Sequence, residues 1–308
     1  MGETIMAQET FATTSASTSA TRVVAAPAIT PELRAWIISQ AQTNIGAPAL
    51  IQAMTAAGWS EAVAMQALED TLRGHLSDIG STGGTAALAS PAVPEPALQG
   101  EPARLDAGDR HVDVLLSITL PRVVVLGNVL SPEECDALIE AARPRMARSL
   151  TVATQTGGEE INADRTSNGM FFQRGESELI ARIEARLAKI AHWPVENGEG
   201  VQVLHYGPGA EYKPHYDYFD PSQPGTPRIL ARGGQRVGTF VLYLNTPEQG
   251  GGTTFPEIGL NVAAQKGNAV FFSYPQPVPS TRTLHGGAPV LAGEKWIATK
   301  WMREREFT

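Results

Sequence analysis

The chain has 308 residues, 42% of them hydrophobic and 18% charged, with a formal net charge of −8 and a pI near 5.3. That length holds one large domain and a smaller one, with apolar residues enough for a sizeable core. The acidic balance speaks against a nucleic-acid surface, the lone cysteine excludes an intramolecular disulfide and fits a reducing cytoplasm, and no apolar run is long enough to span a bilayer.

Residues 1–29 are dominated by Ala, Thr and Ser and have little to bury, so a disordered tail is expected there. They also lack the basic and apolar regions of a secretory signal. Residues 30–76 read as three short helices. Thr30-Pro31 supplies an N-cap and a first-turn proline, followed by Leu33, Trp36, Ile37 and Ala41 at helical spacing. A second helix carries Leu50, Ile51 and Met54 and ends near Gly58, and a third starts after Ser60. The unit is similar to a ubiquitin-associated-type bundle, with Gly58-Trp59 where that family has Gly-Phe. A docking or dimerisation bundle is the other reading, and either would give the unit a protein partner.

Residues 77–106 are rich in Gly, Pro, Ala and Ser and read as a flexible linker. From 107 to 308 the chain reads as one globular domain. Val123–Leu126 is strand-like, and Ser131-Pro132-Glu133-Glu134 is a capping box that opens a helix with Cys135, Leu138 and Ile139 on its apolar side. Cys135 is therefore expected in the core. A second helix over 176–191 carries a stripe of Leu179, Ile180, Ile183, Leu187 and Ile190. Strand signals then dominate: 201–206, 212–218, 238–245, 269–274 and 295–302. Helices followed by mostly antiparallel strands predict an α+β double-sheet barrel backed by helices. The Pro- and Gly-rich loop 220–236 is expected to move as a lid.

His215 and Asp217 stand two apart, on one face of an expected strand, and His285 follows 68 residues after Asp217. A single H-x-D is a weak signal. It gains weight from the glycines of His285-Gly286-Gly287, from Gly250-Gly251-Gly252-Thr253 between the ligands, and from the alternation of Lys295, Ile297, Thr299 and Trp301 on one strand face. Two imidazoles and one carboxylate with open positions suit non-haem Fe(II). A zinc hydrolase is the alternative, but it commonly carries H-E-x-x-H, which is absent. Lys295 has no evident task in a hydrolase, whereas in an oxygenase it can pair with the far carboxylate of 2-oxoglutarate.

From about residue 120 to 303 the chain resembles the 2-oxoglutarate- and Fe(II)-dependent dioxygenases of the prolyl 4-hydroxylase alpha-subunit type. The segments that carry this are LSPEECDALIEAA, RTSNGMFF, ENGEGVQVLHYGPGAEYKPHYDYFDP, GGQRVGTFVLYLN, GGGTTFP and LHGGAPVLAGEKWIATKW. The resemblance implies a distorted double-stranded β-helix, or jelly roll. It implies hydroxylation of prolyl residues in a peptide or protein, coupled to conversion of 2-oxoglutarate and O₂ to succinate and CO₂, with ascorbate as an accessory. It further implies iron ligation by His215, Asp217 and His285, and a 2-oxoglutarate pocket of Lys295, Tyr206 and Thr253. Tyr212, Arg236 and Trp301 match positions flanking the substrate, while Glu199, Arg165 and Ser167 fall in peptide-groove segments. Gly252 stands where the family usually has an acidic residue. Hydroxylation of a free amino acid or small metabolite, or an adaptor role through the N-terminal helices, are the other readings the sequence leaves open.

Overall fold

The computed structural model describes residues 30–42, 46–81, 93–149, 151–152, 156, 158–160 and 164–308. The expected tail, 1–29, lies outside the described residues. The chain divides into two compact units, Met1–Leu88 and Ala89–Thr308.

In the first unit, helices α1 (Pro31–Gln42), α2 (Ala47–Ala56) and α3 (Glu61–Ser81) share a small core of Ile37, Leu50, Met54, Ala64, Ala67 and Leu68. Thr30 Oγ1 accepts from the Leu33 amide and Ser60 Oγ from the Val63 amide, as caps should. Trp36, placed on the apolar side of α1 by spacing alone, is instead 37% exposed. The core needs only one large side chain at that level, and Ile37 fills it.

The second unit runs through β1 (Arg104–Asp106), β2 (His111–Ile118), β3 (Arg122–Gly127), α4 (Pro132–Ala142), β4 (Ala147–Arg148), a small pair β5 (Thr151–Val152) and β6 (Glu159–Glu160), β7 (Asn168–Phe172) and α5 (Glu178–Ala191). It continues with β8 (Val201–Tyr206), β9 (Tyr212–His215), α6 (Thr226–Leu230), β10 (Arg236–Tyr243), β11 (Gln249–Gly250), β12 (Thr253–Phe255) and β13 (Leu260–Val262). It ends with β14 (Ala269–Ser273), β15 (His285–Gly287), β16 (Val290–Ala292) and β17 (Lys295–Arg303). The unit is thus mixed α and β around a large antiparallel sheet, in the order β1-β2-β3-β14-β10-β17-β8-β7-β4. A second sheet has the order β13-β12-β15-β9.

Side-chain alternation divides the large sheet into two apolar faces. Phe240, Phe271, Val203 and Ala298 point to one side, where they pack with Cys135 and Leu138 of α4 and Ile183, Leu187 and Ile190 of α5. Val241, Phe272, Leu204 and Ile297, each one residue along, point to the other side and meet Phe255 and Val262 of the small sheet. The site lies on this second face. Ser131 and Glu134 close the expected capping box at α4, and Ser177 caps α5, so that helix begins at Glu178, two residues later than the expected start at 176. Cys135 is buried, its thiol pushed up to about 11 by desolvation, in keeping with a core role.

Three expectations change. The segment 77–106 is not linker throughout: α3 continues to Ser81, 104–106 is a strand, and Glu95 forms an ion pair with Arg122 while its amide donates to the Ala191 carbonyl. Segment 220–236 is not bare loop: it holds the short helix α6, and Arg232 Nε donates to the Thr308 carbonyl at 2.8 Å. The strand expected over 212–218 stops at His215. Asp217 therefore sits in a bend, and no strand pleat aligns it with His215.

Candidate active site

The antiparallel pairing of β15 with β9 sets His285 directly opposite His215. The strands can come this close because residue 286 is glycine: a Cβ there would stand 2.9 Å from the Tyr212 carbonyl oxygen and 3.1 Å from the Pro214 nitrogen. The imidazoles lie 4.4 Å apart, centre to centre. The Nδ1–H of His215 donates to the Lys213 carbonyl at 2.8 Å, and that of His285 to the Thr283 carbonyl at 2.9 Å. These bonds fix the tautomer and leave each Nε2 as a lone-pair donor. Burial pushes His285 down to about 4, so it stands neutral.

Both Nε2 atoms face Asp217, each 3.6 Å from a different carboxylate oxygen. That is too long for a hydrogen bond and close to the separation, about 3 Å, of two ligands at right angles around a first-row ion. Asp217 is buried, which opposes its ionisation. Its carboxyl is nevertheless held below the usual range, and the neighbour that stays cationic to do this is the Arg236 guanidinium. Thr239 Oγ1 on β10 donates to Asp217 Oδ2 at 2.8 Å and contacts the Tyr274 hydroxyl at 3.1 Å. Among the described residues, His215, Asp217 and His285 are the one group of such side chains near enough to share an ion. Two neutral imidazoles and one carboxylate, each oriented by a neighbour, fit the donor set of non-haem Fe(II).

The same cavity is lined by Lys295, Tyr206, Thr253, Tyr212, Trp301 and Arg165. Lys295 opens β17 opposite Tyr206 of β8, with Nζ 5.4 Å from the phenol ring centre. It is 2% exposed and has no hydrogen bond or ion pair to any described residue; desolvation lowers it to about 8. Its stem passes Gly251, where a Cβ would stand 3.2 Å from Cδ. Thr253 accepts from the Tyr243 hydroxyl at 2.8 Å. At Gly252 a Cβ would stand 2.2 Å from Asn261 Oδ1 and 3.0 Å from the Val262 carbonyl oxygen, so a larger residue there requires the Asn261 side chain to turn away.

Three of the expected site residues do not line the cavity. Glu199 is bound to Arg236 at 2.7 and 2.9 Å and to Arg303 at 2.6 Å, and Arg236 in turn lies over Trp301. Ser167 is buried and donates to Ser149 Oγ at 3.0 Å. Sequence reading missed Thr239, Tyr243 and Gln202, which reach the site only through sheet register. The Thr in GTFVLY carried no local signal beyond a polar residue in an apolar strand.

Residues 201–303 match the model of the 2OG-Fe(II) oxygenase superfamily. Prolyl 4-hydroxylase 5 of Arabidopsis thaliana is 40% identical over 221 residues, covering 65% of this chain and 74% of that protein. The chain belongs to the prolyl 4-hydroxylase family of 2-oxoglutarate- and Fe(II)-dependent oxygenases. Prolyl 4-hydroxylase 1 of the same plant is 44% identical over 202 residues, or 60% of this chain and 70% of that one. Among solved structures, the 2OG complex of the viral collagen prolyl hydroxylase from Paramecium Bursaria Chlorella virus-1 is 33% identical, with a TM-score of 0.45 over 59% of this chain and 95% of that one. This family member is accordingly a 2-oxoglutarate-dependent dioxygenase, and one cavity brings together its buried lysine and His215, Asp217 and His285, which could hold an ion.

Proposed function

We propose that the chain hydroxylates prolyl residues of a peptide or protein at the 4-position, with 2-oxoglutarate and O₂ converted to succinate and CO₂. The observation that carries this is the meeting of His215, Asp217 and His285 with the unpaired Lys295 in one buried cavity. A cation site at one end and an anion site at the other suit a short 2-oxo diacid. The names of the plant relatives, prolyl 4-hydroxylases, support the choice of substrate.

In this reading the two imidazoles and Asp217 hold Fe(II), which when bound supplies the O₂ and redox chemistry. Lys295 pairs with the far carboxylate of 2-oxoglutarate, Tyr206 adds a donor, and Thr253 closes the pocket behind it. Apolar walls from Leu204, Val241 and Ile297 exclude water, so the Lys295 charge is weakly screened and its pull on a carboxylate strengthened. Tyr212 and Trp301 bound the substrate side, and Glu199 acts through Arg236 to hold Trp301 in place. The two packed sheets are read as the distorted double-stranded β-helix, and ascorbate as the reductant that sustains turnover.

The test is incubation of the full chain with Fe(II), 2-oxoglutarate, ascorbate and proline-containing peptides. Succinate and a +16 Da mass shift on proline are expected, and both should vanish in His215→Ala and Asp217→Ala. Succinate without any hydroxyproline would refute the prolyl substrate, and full activity in both variants would refute the metal assignment.

A further inference from the structure

We propose that Tyr274, Tyr218 and Tyr216 form an electron path from the candidate ion site to the surface, which returns the site to its reduced state when 2-oxoglutarate is consumed with nothing to hydroxylate. Tyr274 follows β14, is 1% exposed and belongs to the core on the site face of the large sheet. Two links tie it to the ion-binding group. Its hydroxyl stands 3.1 Å from Thr239 Oγ1, which donates to Asp217 Oδ2 at 2.8 Å. Its ring centre lies 6.2 Å from that of Phe272, which lies 4.4 Å from that of the His285 imidazole. Outward, the phenols continue. Tyr274 meets Tyr218 edge-on at 6.0 Å, and Tyr218 stacks on Tyr216 at 4.8 Å. Tyr218 is buried, whereas Tyr216 is half-buried and its hydroxyl donates to the exposed Glu257 Oε1 at 3.3 Å.

Ring contacts at these distances are ordinary core packing. Packing alone, however, is served by phenylalanine, as at Phe272 and Phe255 in the same cluster. A tyrosine in that place buries a hydroxyl, which costs free energy unless it is bonded. The Thr239 hydrogen is committed to Asp217, so the Tyr274 hydroxyl is the donor in their contact. The inner phenol is thus hydrogen-bonded towards a metal-ligand candidate, and the outer phenol towards a carboxylate in solvent. Those are the places where a phenol that gives up an electron needs somewhere to put its proton.

In each pass one electron leaves the Tyr274 ring for the oxidised site. The Tyr274 O–H bond breaks, its proton moves to Thr239 Oγ1, and Thr239 passes its own to Asp217 Oδ2. An electron drawn from Tyr216 across the stacked Tyr218 ring reverses both shifts. Tyr216 gives its O–H proton to Glu257 as it is oxidised and recovers it when ascorbate in solvent returns the electron. Two passes use one ascorbate monoanion, which becomes dehydroascorbate with the loss of two electrons and one proton. Solvent supplies a second proton, and the oxygen atom of O₂ that no substrate takes leaves as water. The reductant therefore acts from outside the cavity, and the cavity walls are spared oxidation.

Rapid-freeze electron paramagnetic resonance tests the path on the full chain with Fe(II), 2-oxoglutarate and O₂ but no peptide. The wild type should build up an organic radical while succinate is released. Ring-deuterated tyrosine should narrow that signal, and ascorbate should quench it. Tyr274→Phe should abolish it, and mass spectrometry should then find severalfold more oxidation of the cavity-lining Tyr212 and Trp301. Tyr216→Phe, a change at a half-buried ring, keeps the test open if Tyr274→Phe fails to fold: its radical should persist in ascorbate that quenches the wild type. A radical undiminished in Tyr274→Phe, or quenched equally fast in Tyr216→Phe, would overturn the proposal. So would wild-type succinate release with no radical, and so would the absence of succinate without peptide, because the path would then have nothing to discharge. No proline is present in these measurements, so their failure is distinct from failure of the prolyl reading.

Discussion

The guanidinium carbon of Arg236 lies 3.8 Å from the centre of the Trp301 ring, while Glu199 holds the same guanidinium at 2.7 and 2.9 Å. The indole is thus fixed from behind by a charged group that is itself buried. Glu199 also takes Arg303 at 2.6 Å, and its backbone carbonyl accepts from Lys300. One carboxylate therefore holds two cations, and one of them, Arg236, backs the cavity-lining Trp301.

Removing that carboxylate should be costly. In Glu199→Gln, Arg236 and Arg303 lose their described ion-pair partner, and breaking a buried pair costs about 3–5 kcal/mol. Thermal unfolding should show the loss, and the KM for peptide should rise as Trp301 loosens while that for 2-oxoglutarate changes little. An unchanged melting temperature would contradict the idea that this network is structural.

Lys295→Met should behave in the opposite way. The ammonium is buried without a described partner, so replacing it by an apolar side chain of similar length removes a desolvation penalty. The ligand-free variant should be as stable as the wild type or more so, by calorimetry. Its KM for 2-oxoglutarate should rise by at least about tenfold, because a charge-assisted bond worth about 1.5–3 kcal/mol is lost.

The same lysine predicts a pH dependence. Burial lowers Lys295 to about 8, and only the protonated form attracts a carboxylate. Affinity for 2-oxoglutarate should hold below that value and fall as pH rises through it, moderated by the upward pull of the bound diacid. Equilibrium binding followed from about 1.5 pH units below that value to about 1.5 above it should show the decline in the wild type and not in Lys295→Met.

Much of this site was legible in the sequence, and the legible parts are local. The Ser131–Glu134 box and the alternation of Lys295, Ile297, Thr299 and Trp301 depend on neighbours a few residues away, and the structure keeps both. What the sequence hid is register. Nothing near Arg236 in the chain says that β10 sets it against Glu199, which follows from how β10, β17 and β8 pair. Asp217 leaves its strand because distant residues, Thr239 and Arg236, hold its carboxylate and its carbonyl. Trp36 faces outward because a three-helix core is too small for every apolar residue at the right spacing.

Acid should weaken the helix layer first. Arg186, almost fully buried on α5, binds Glu134 at 2.8 Å, donates to the Val129 carbonyl at 2.8 Å and also pairs with Asp109. Burial opposes the Glu134 charge, but Arg186 and the Ser131 amide win and hold it near 2, against an ordinary value of 4.5. The folded value is the lower one, so the stabilisation is complete above about 4.5 and is lost as pH falls towards 2. Arg186→Met should flatten this part of the stability profile and lower stability at neutral pH, because it takes the buried partner from Glu134 and leaves the longer contacts with Arg182 at 3.3 Å and Arg110 at 3.6 Å. Urea unfolding at pH 7 and pH 3.5 reads both effects.

Thr239 offers the sharpest test of how Asp217 is positioned. Its hydroxyl is the one described side-chain donor to Oδ2, the oxygen that faces His285, and it touches nothing of the cavity's substrate side. Thr239→Val keeps the volume and the β-branch but leaves Oδ2 without that bond, so the carboxylate gains freedom to rotate. Loss of such an orienting partner typically lowers metal affinity about 10–100-fold. Titration of the metal-free protein with Fe(II) under anaerobic conditions should show that drop, and excess iron should restore most of the turnover. If Thr239→Val binds iron as tightly as the wild type, Asp217 is held by its backbone and by Arg236 alone, and the hydroxyl serves only the contact with Tyr274.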